Sequence, residues 1–69
     1  MEASIKKIHK NGFLVTLVDN SIWMLRSPVD LMKSSLWYPS QRIMVEEENS
    51  YYSLINLDSH NDKIEVLRI

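Results

Sequence analysis

Short apolar runs of period two, cut by polar turns at near-regular spacing, restrict this chain more than any other feature. Phe13-Leu14-Val15-Thr16-Leu17-Val18 is rich in β-branched residues and too short for an ordinary helix, so it reads as a strand. One face would carry Phe13, Val15 and Leu17, and the other Leu14, Thr16 and Val18. Upstream, Ile5 to His9 is a weaker strand, joined to it by Asn11-Gly12. That dipeptide predicts a type I′ hairpin turn, whose two central residues need positive φ. Asp19-Asn20 predicts a second hairpin into Ser21-Ile22-Trp23-Met24-Leu25, so the first three strands should form a meander. Arg42–Glu46, Tyr51–Leu57 and Lys63–Ile69 complete the set, with polar links Glu47-Glu48-Asn49-Ser50 and Asp58-Ser59-His60-Asn61-Asp62.

The exception lies between Arg26 and Gln41. Ser27-Pro28-Val29-Asp30 has a serine cap, proline at the first position and an acid three residues after the cap, which is how a helix starts. Val29, Leu31, Met32 and Leu36 would give that helix one apolar side. Tyr38-Pro39 ends it. The fold expected is all-β: a small five- to six-stranded antiparallel barrel, SH3-like or OB-like, with one short helical or 3₁₀ crossover around residues 28–36. A chain of 69 residues makes this a single domain, 1–69.

The segments Gly12-Phe13-Leu14-Val15, Asp19-Asn20-Ser21-Ile22-Trp23, Leu36-Trp37-Tyr38-Pro39-Ser40-Gln41-Arg42-Ile43 and Tyr52-Ser53-Leu54-Ile55-Asn56 together resemble a pattern. It is that of a group of uncharacterised small bacterial all-β proteins: Asp-Gly-Ser-x-Trp, a variable connection, Trp-x-x-Gly-Asp, then a strand ending Tyr-x-Leu-x-Asn. The resemblance spans about two-thirds of the chain and implies a compact all-β domain, without an assigned activity. Asn20 stands where the group has glycine, which the left-handed tolerance of asparagine accommodates. Ser40-Gln41 stands where it has Gly-Asp.

Composition removes most chemistry. No cysteine means no disulfide, thiol nucleophile or cysteine zinc site. One glycine excludes both the Walker loop and the dinucleotide fingerprint. His60 among Asp58, Asn61 and Asp62 lacks the glycine and downstream glutamate of a calcium loop, and Ser59, His60 and Asp58 are too close in sequence to form a triad. His9 stands alone. No catalytic residue, metal ligand or cofactor is therefore assigned, and the chain is not read as an enzyme. The N-terminus lacks an apolar leader and no apolar run reaches a membrane span, so a cytoplasmic location is expected.

Four aromatics remain as tentative binding residues: Trp23, Trp37, Tyr38 and Tyr51. So small a domain needs its large side chains inside, and Trp23 is expected in the core. For Trp37 and Tyr38, beside a loop, burial and partial exposure both stay open. Tyr51 and Tyr52 point to opposite faces, so one should be outside.

The net charge of -1 conceals a division. Residues 1–44 carry Lys6, Lys7, Lys10, Arg26, Lys33 and Arg42 against Glu2, Asp19 and Asp30, a balance of +3. Residues 45–69 carry Lys63 and Arg68 against Glu46, Glu47, Glu48, Asp58, Asp62 and Glu65, a balance of -4. Head-to-tail association is one reading. The preferred one is that Lys6, Lys7 and Lys10 guard an edge strand while the glutamates solvate a hairpin tip.

Two functions are carried forward. The first is a protein-interaction or assembly module, with homodimerisation as its simplest form, because the apolar side chains exceed what 69 residues easily hide. The alternative is single-stranded nucleic-acid binding on an OB-like face through the tryptophans with Lys6, Lys7, Lys10 and Arg42, against which the acidic second half argues. No membrane partner is expected.

Overall fold

The structure, a computed structural model, describes residues 1–69 and is a closed six-stranded antiparallel barrel. The strands are β1 (Glu2–His9), β2 (Leu14–Leu17), β3 (Ile22–Leu25), β4 (Arg42–Glu47), β5 (Tyr52–Asn56) and β6 (Asp62–Arg68). Around the barrel they run β1-β2-β3-β6-β5-β4. Two three-stranded meanders are thus sewn together along two seams, β3 to β6 and β1 to β4. The crossover between the meanders holds a 3₁₀ turn (Pro28–Asp30) and one short helix, α1 (Leu31–Ser34).

Strand alternation builds the core. Ile5 faces Leu17 across β1–β2, Val15 faces Trp23 across β2–β3, Leu25 faces Val66 across β3–β6, and Leu54 faces Ile64 across β5–β6. These eight, with Ile43 and Trp37, are the buried apolar cluster. Every strand contributes, so the interior is filled by side chains, as a barrel of this size requires. The face containing Val15 and Leu17 is the inner one, while Val18 is 57% exposed.

The turns differ from expectation in one place. Asn11-Gly12 does not form a two-residue hairpin turn: the β1–β2 register leaves four residues, 10–13, between His9 and Leu14. Lys10, Asn11 and Gly12 all have positive φ, at 52°, 58° and 107°. Lysine carries no sequence signal for a left-handed conformation, which is why the turn is one residue longer at each end than the dipeptide indicates. The second hairpin is closed by the Leu17 N–H donating to the Ser21 carbonyl at 3.0 Å, with Asn20 at φ 70°. At the β5–β6 tip, His60 and Asn61 are both left-handed, and the Asp62 N–H donates to the Ser59 carbonyl. The β4–β5 tip contains no positive φ, so Asn49, a residue type suited to a left-handed turn position, does not serve as one.

Ser40 has φ 79°. Both positions at which the chain departs from glycine in the resembled pattern, Asn20 and Ser40, therefore have the backbone geometry glycine favours. A left-handed serine costs roughly 1 kcal/mol, partly offset by the greater unfolded-state freedom of glycine. Ser40→Gly should therefore stabilise the domain by about 0.5 kcal/mol, whereas Asn20→Gly should be near neutral because asparagine already tolerates this region. Urea midpoints of the two variants check the contrast.

The crossover departs more. Ser27 does cap it, its Oγ accepting from the Val29 N–H at 3.3 Å, with Pro28 at the first position. The side of α1 against the barrel, however, is only partly apolar, with Leu31 beside Ser34. Ser34 is fully buried and donates to the Gly12 carbonyl at 2.8 Å, while Val29, Met32 and Leu36 are 76%, 83% and 73% exposed. Of the expected apolar side only Leu31 packs on the core. The cause is backbone proximity: a Cβ placed on Gly12 would lie 2.6 Å from the Ser35 nitrogen and 2.8 Å from the Ser34 carbonyl oxygen. At that separation only a small side chain fits between the elements, and the large ones turn outward.

Candidate binding surface

The residues that gave the chain its recognisable pattern are tied up in holding the barrel together. Trp23 is 1% exposed, and its Nε1–H donates to Ser21 Oγ at 2.8 Å. The Ser21 hydroxyl and backbone N–H both donate to Asp19 Oδ1, at 2.6 and 2.9 Å. One Asp-x-Ser-x-Trp segment thereby shapes the β2–β3 turn and satisfies a buried indole donor. Gln41 is a second hub. Its Oε1 accepts from the Tyr38 backbone N–H at 3.0 Å and from Asn56 Nδ2 at 2.8 Å, while Asn56 Oδ1 accepts from the Asp58 N–H. Asp58 in turn receives the Arg42 backbone N–H and guanidinium, both at 2.8 Å in their shortest contacts. The end of the crossover is thus fastened to β5 and to the loop that follows it.

Those bonds have an electrostatic consequence. Hydrogen bonds from Ser21 hold the Asp19 carboxyl below its ordinary pKa, and those from Arg42 do the same for Asp58. A depressed folded-state value means that the contribution is complete above the ordinary carboxylate range and is lost as pH falls through the lowered values. Stability should therefore fall on acidification below that range, and less steeply in Asp19→Asn than in the parent. Thermal unfolding across an acid pH series checks this.

The four candidate aromatics do not come together. Trp23 and Trp37 are core side chains, at 1% and 4% exposure, so neither offers a ring face for stacking. Trp23 instead meets Tyr52 edge-on, with centroids 5.0 Å apart. Trp37 Nε1 has no hydrogen-bond partner. Tyr51 is half-buried with the Arg26 guanidinium 4.2 Å from its ring centroid, and Tyr38 alone is open, at 62%.

The basic candidates are also dispersed. Lys6 Nζ donates to Asn20 Oδ1 at 2.6 Å and Arg42 is held by Asp58, leaving Lys7 and Lys10 exposed without an ion-pair partner. Two ion pairs, Arg26–Glu65 at 3.0 Å and Arg42–Asp58 at 2.8 Å, join the positive and negative parts of the chain. Strand pairing interleaves the charge division without erasing it.

No group of three or more histidine, aspartate or glutamate side chains converges as a metal site would require, and His60 is exposed in its turn. No helix is long and apolar enough to cross a membrane. One open depression of about 440 Å³ lies beside the crossover, lined by Ser27, Val29, Asp30, Lys33, Lys63 and Glu65. It is polar and already wired: Asp30 Oδ2 accepts from the Glu65 N–H at 2.9 Å, and Lys33 Nζ donates to the Lys63 carbonyl at 3.0 Å.

What stands out is apolar surface. Val29 in the 3₁₀ turn, Met32 in α1 and Leu36 just after it are all exposed along the outside of the crossover, an apolar stripe by exposure. Val18, Ile22, Leu67 and Ile69 project from the outer wall of β2, β3 and β6, where Met24 pairs with Leu67 and the Ile69 N–H donates to the Ile22 carbonyl. The stripe was visible in sequence as a helical apolar side, but nothing local indicated that it faces outward. Comparisons of the chain with protein-family models, with curated proteins and with solved structures found no match.

Proposed function

We propose that this barrel is a protein-association module whose binding element is the outward stripe Val29–Met32–Leu36. The carrying observation is the inverted crossover, which buries Ser34 completely and exposes three large apolar side chains by more than 70% each. Large exposed apolar side chains gathered on one short segment of so small a domain are a usual mark of an interaction surface. Tyr38, 62% exposed at the end of the same crossover, adds an amphipathic ring of the kind enriched at interfaces. Binding of single-stranded nucleic acid has less support, since stacking needs open rings beside basic side chains and both indoles lie inside the barrel.

Met32→Asp with Leu36→Asp provides the test. At these exposures folding stability should stay within about 0.5 kcal/mol of the parent for each change. Association, read by sedimentation velocity of the protein alone and by crosslinking in lysate, should fall sharply. Unchanged profiles in both assays would sink the reading.

A further inference from the structure

Closure of the barrel gives β2, β3 and β6 a neighbour on both sides, so their outer wall presents side chains and no backbone edge. Val15, Trp23, Leu25 and Val66 fill the interior, and the residues that alternate with them point outward. Leu14 is opposite Met24 and Met24 is opposite Leu67, which joins these three outward side chains in one cross-strand row. Ile22 shares the outer face of β3 with Met24, and Val18 follows β2 on the same side. Val18, Ile22 and Leu67 remain 57%, 38% and 37% exposed. A connected apolar wall on so small a domain marks a contact surface.

The wall has a cationic border along β1. Ile5 is opposite Leu17 while Lys7 is opposite Thr16, so β1 carries a bulge at Lys6. Ile5 is buried and Ile8 packs on the core, and the bulge lets both lysines between them face out, where strict alternation would allow one. Lys6, Lys7 and Lys10 are all exposed, and none belongs to an ion pair; Lys6 meets only the neutral Asn20 amide. Asp19, in the adjacent turn, is engaged by Ser21 and leaves the border net positive. Elsewhere around the wall, Arg26 is paired with Glu65 at 3.0 Å, and Arg68 lies over the Trp23 ring, 5.4 Å from its centroid.

We propose that this wall docks an amphipathic helix of a partner protein, with its apolar face on Ile22, Met24 and Leu67 and aspartate or glutamate along the flank that meets the β1 lysines. The width fits one helix: three strands at about 4.8 Å spacing span about 10 Å, and a helix with its side chains measures about 10–12 Å. A docked strand would find no edge to pair with and would leave its own backbone groups unbonded, whereas a helix satisfies its backbone internally. A second copy presenting the same wall would bring no acidic flank of its own to the lysines. The acidic flank supplies orientation and on-rate, and the apolar row supplies the buried area. This surface lies on the strands, apart from the crossover stripe, and extends the association reading to a second site.

The probe is a fluorescein-labelled helical peptide of about 14 residues, with leucines on one face and glutamates along one flank, beside a twin carrying lysines in their place. By fluorescence anisotropy at about 20 mM salt, the parent should bind the glutamate peptide at least about tenfold more tightly than the twin. Lys7→Glu/Lys10→Glu should reverse the preference, and its gain of binding to the twin excludes misfolding as the cause of the loss. Ile22→Ser/Leu67→Ser should weaken binding of the glutamate peptide, and amide NMR shifts on its addition should concentrate at Ile22, Met24 and Leu67. Absence of binding to the glutamate peptide, an unreversed preference, or shifts confined to the crossover would overturn the proposal. So would tighter binding of phosphatidylserine vesicles or of oligothymidylate that is lost in the same lysine variant, which would assign the wall to a membrane or to nucleic acid. Met32→Asp/Leu36→Asp should leave peptide binding unchanged, so this wall and the crossover stripe fail separately.

Discussion

Gly12→Ala should destabilise the domain by about 3 kcal/mol, more than its single added methyl group would indicate. Two costs combine. The backbone there has φ 107°, where a side chain is strained by roughly 1–2 kcal/mol. The new Cβ would also come within 2.6–2.8 Å of the backbone of Ser34 and Ser35, so the crossover would have to move. Overpacking of this type costs about 1–3 kcal/mol. The displacement would pull Ser34 Oγ from the Gly12 carbonyl and carry the Val29–Met32–Leu36 stripe with it. Urea unfolding should show a lower midpoint, and the variant should also lose association beyond what its folded fraction explains. A shift under about 1 kcal/mol would mean that the crossover is not seated on Gly12 as closely as described.

Trp23→Ala should cost about 4 kcal/mol, the range for deleting a buried aromatic. Its ring fills the space between Val15 and Tyr52, and its N–H is the donor that Ser21 was positioned to receive. A small domain has stability at the lower end of about 5–15 kcal/mol, so this variant should be close to its unfolding midpoint in water. Trp23→Phe divides the effect: it keeps most of the ring and removes the donor, and should cost about 1–2 kcal/mol. Trp37→Phe removes a donor that has no partner, so the polar part of its cost should vanish. Denaturant titrations of the three proteins, followed by circular dichroism, rank them. Equal losses for the two phenylalanine variants would show that the Ser21 bond contributes nothing.

The barrel was legible because its strands advertise themselves locally. Val15 and Leu17, then Trp23 and Leu25, repeat at two residues and are bounded by Asp19-Asn20, which suffices to predict a strand, its inner face and its turn. What escaped depended on how closely two backbones approach. Val29, Met32 and Leu36 have the spacing of an inward helical face, and nothing in their neighbourhood reports that Gly12 and Ser34 meet without room for a larger side chain. The length of the β1–β2 turn escaped for a related reason, since Lys10 adopts a left-handed conformation for which its own chemistry gives no signal. Trp37 could not be placed because a residue at the end of a crossover has no strand partner to set its side. Among the candidate binding residues, only Tyr38 combines an open ring with a place on the crossover.

The division into two meanders has a kinetic corollary. Every contact within β1–β2–β3 or within β4–β5–β6 joins neighbours in sequence, whereas both seams join strands separated by the crossover. The local meanders can therefore form early, and the entropy of loop closure falls on the single event that docks one on the other. Until that event each half has two unsatisfied outer strands, and neither has a core sealed on both sides. The folding barrier of this barrel is accordingly a docking barrier, and the crossover, by keeping the halves together, sets the effective concentration at which they find each other.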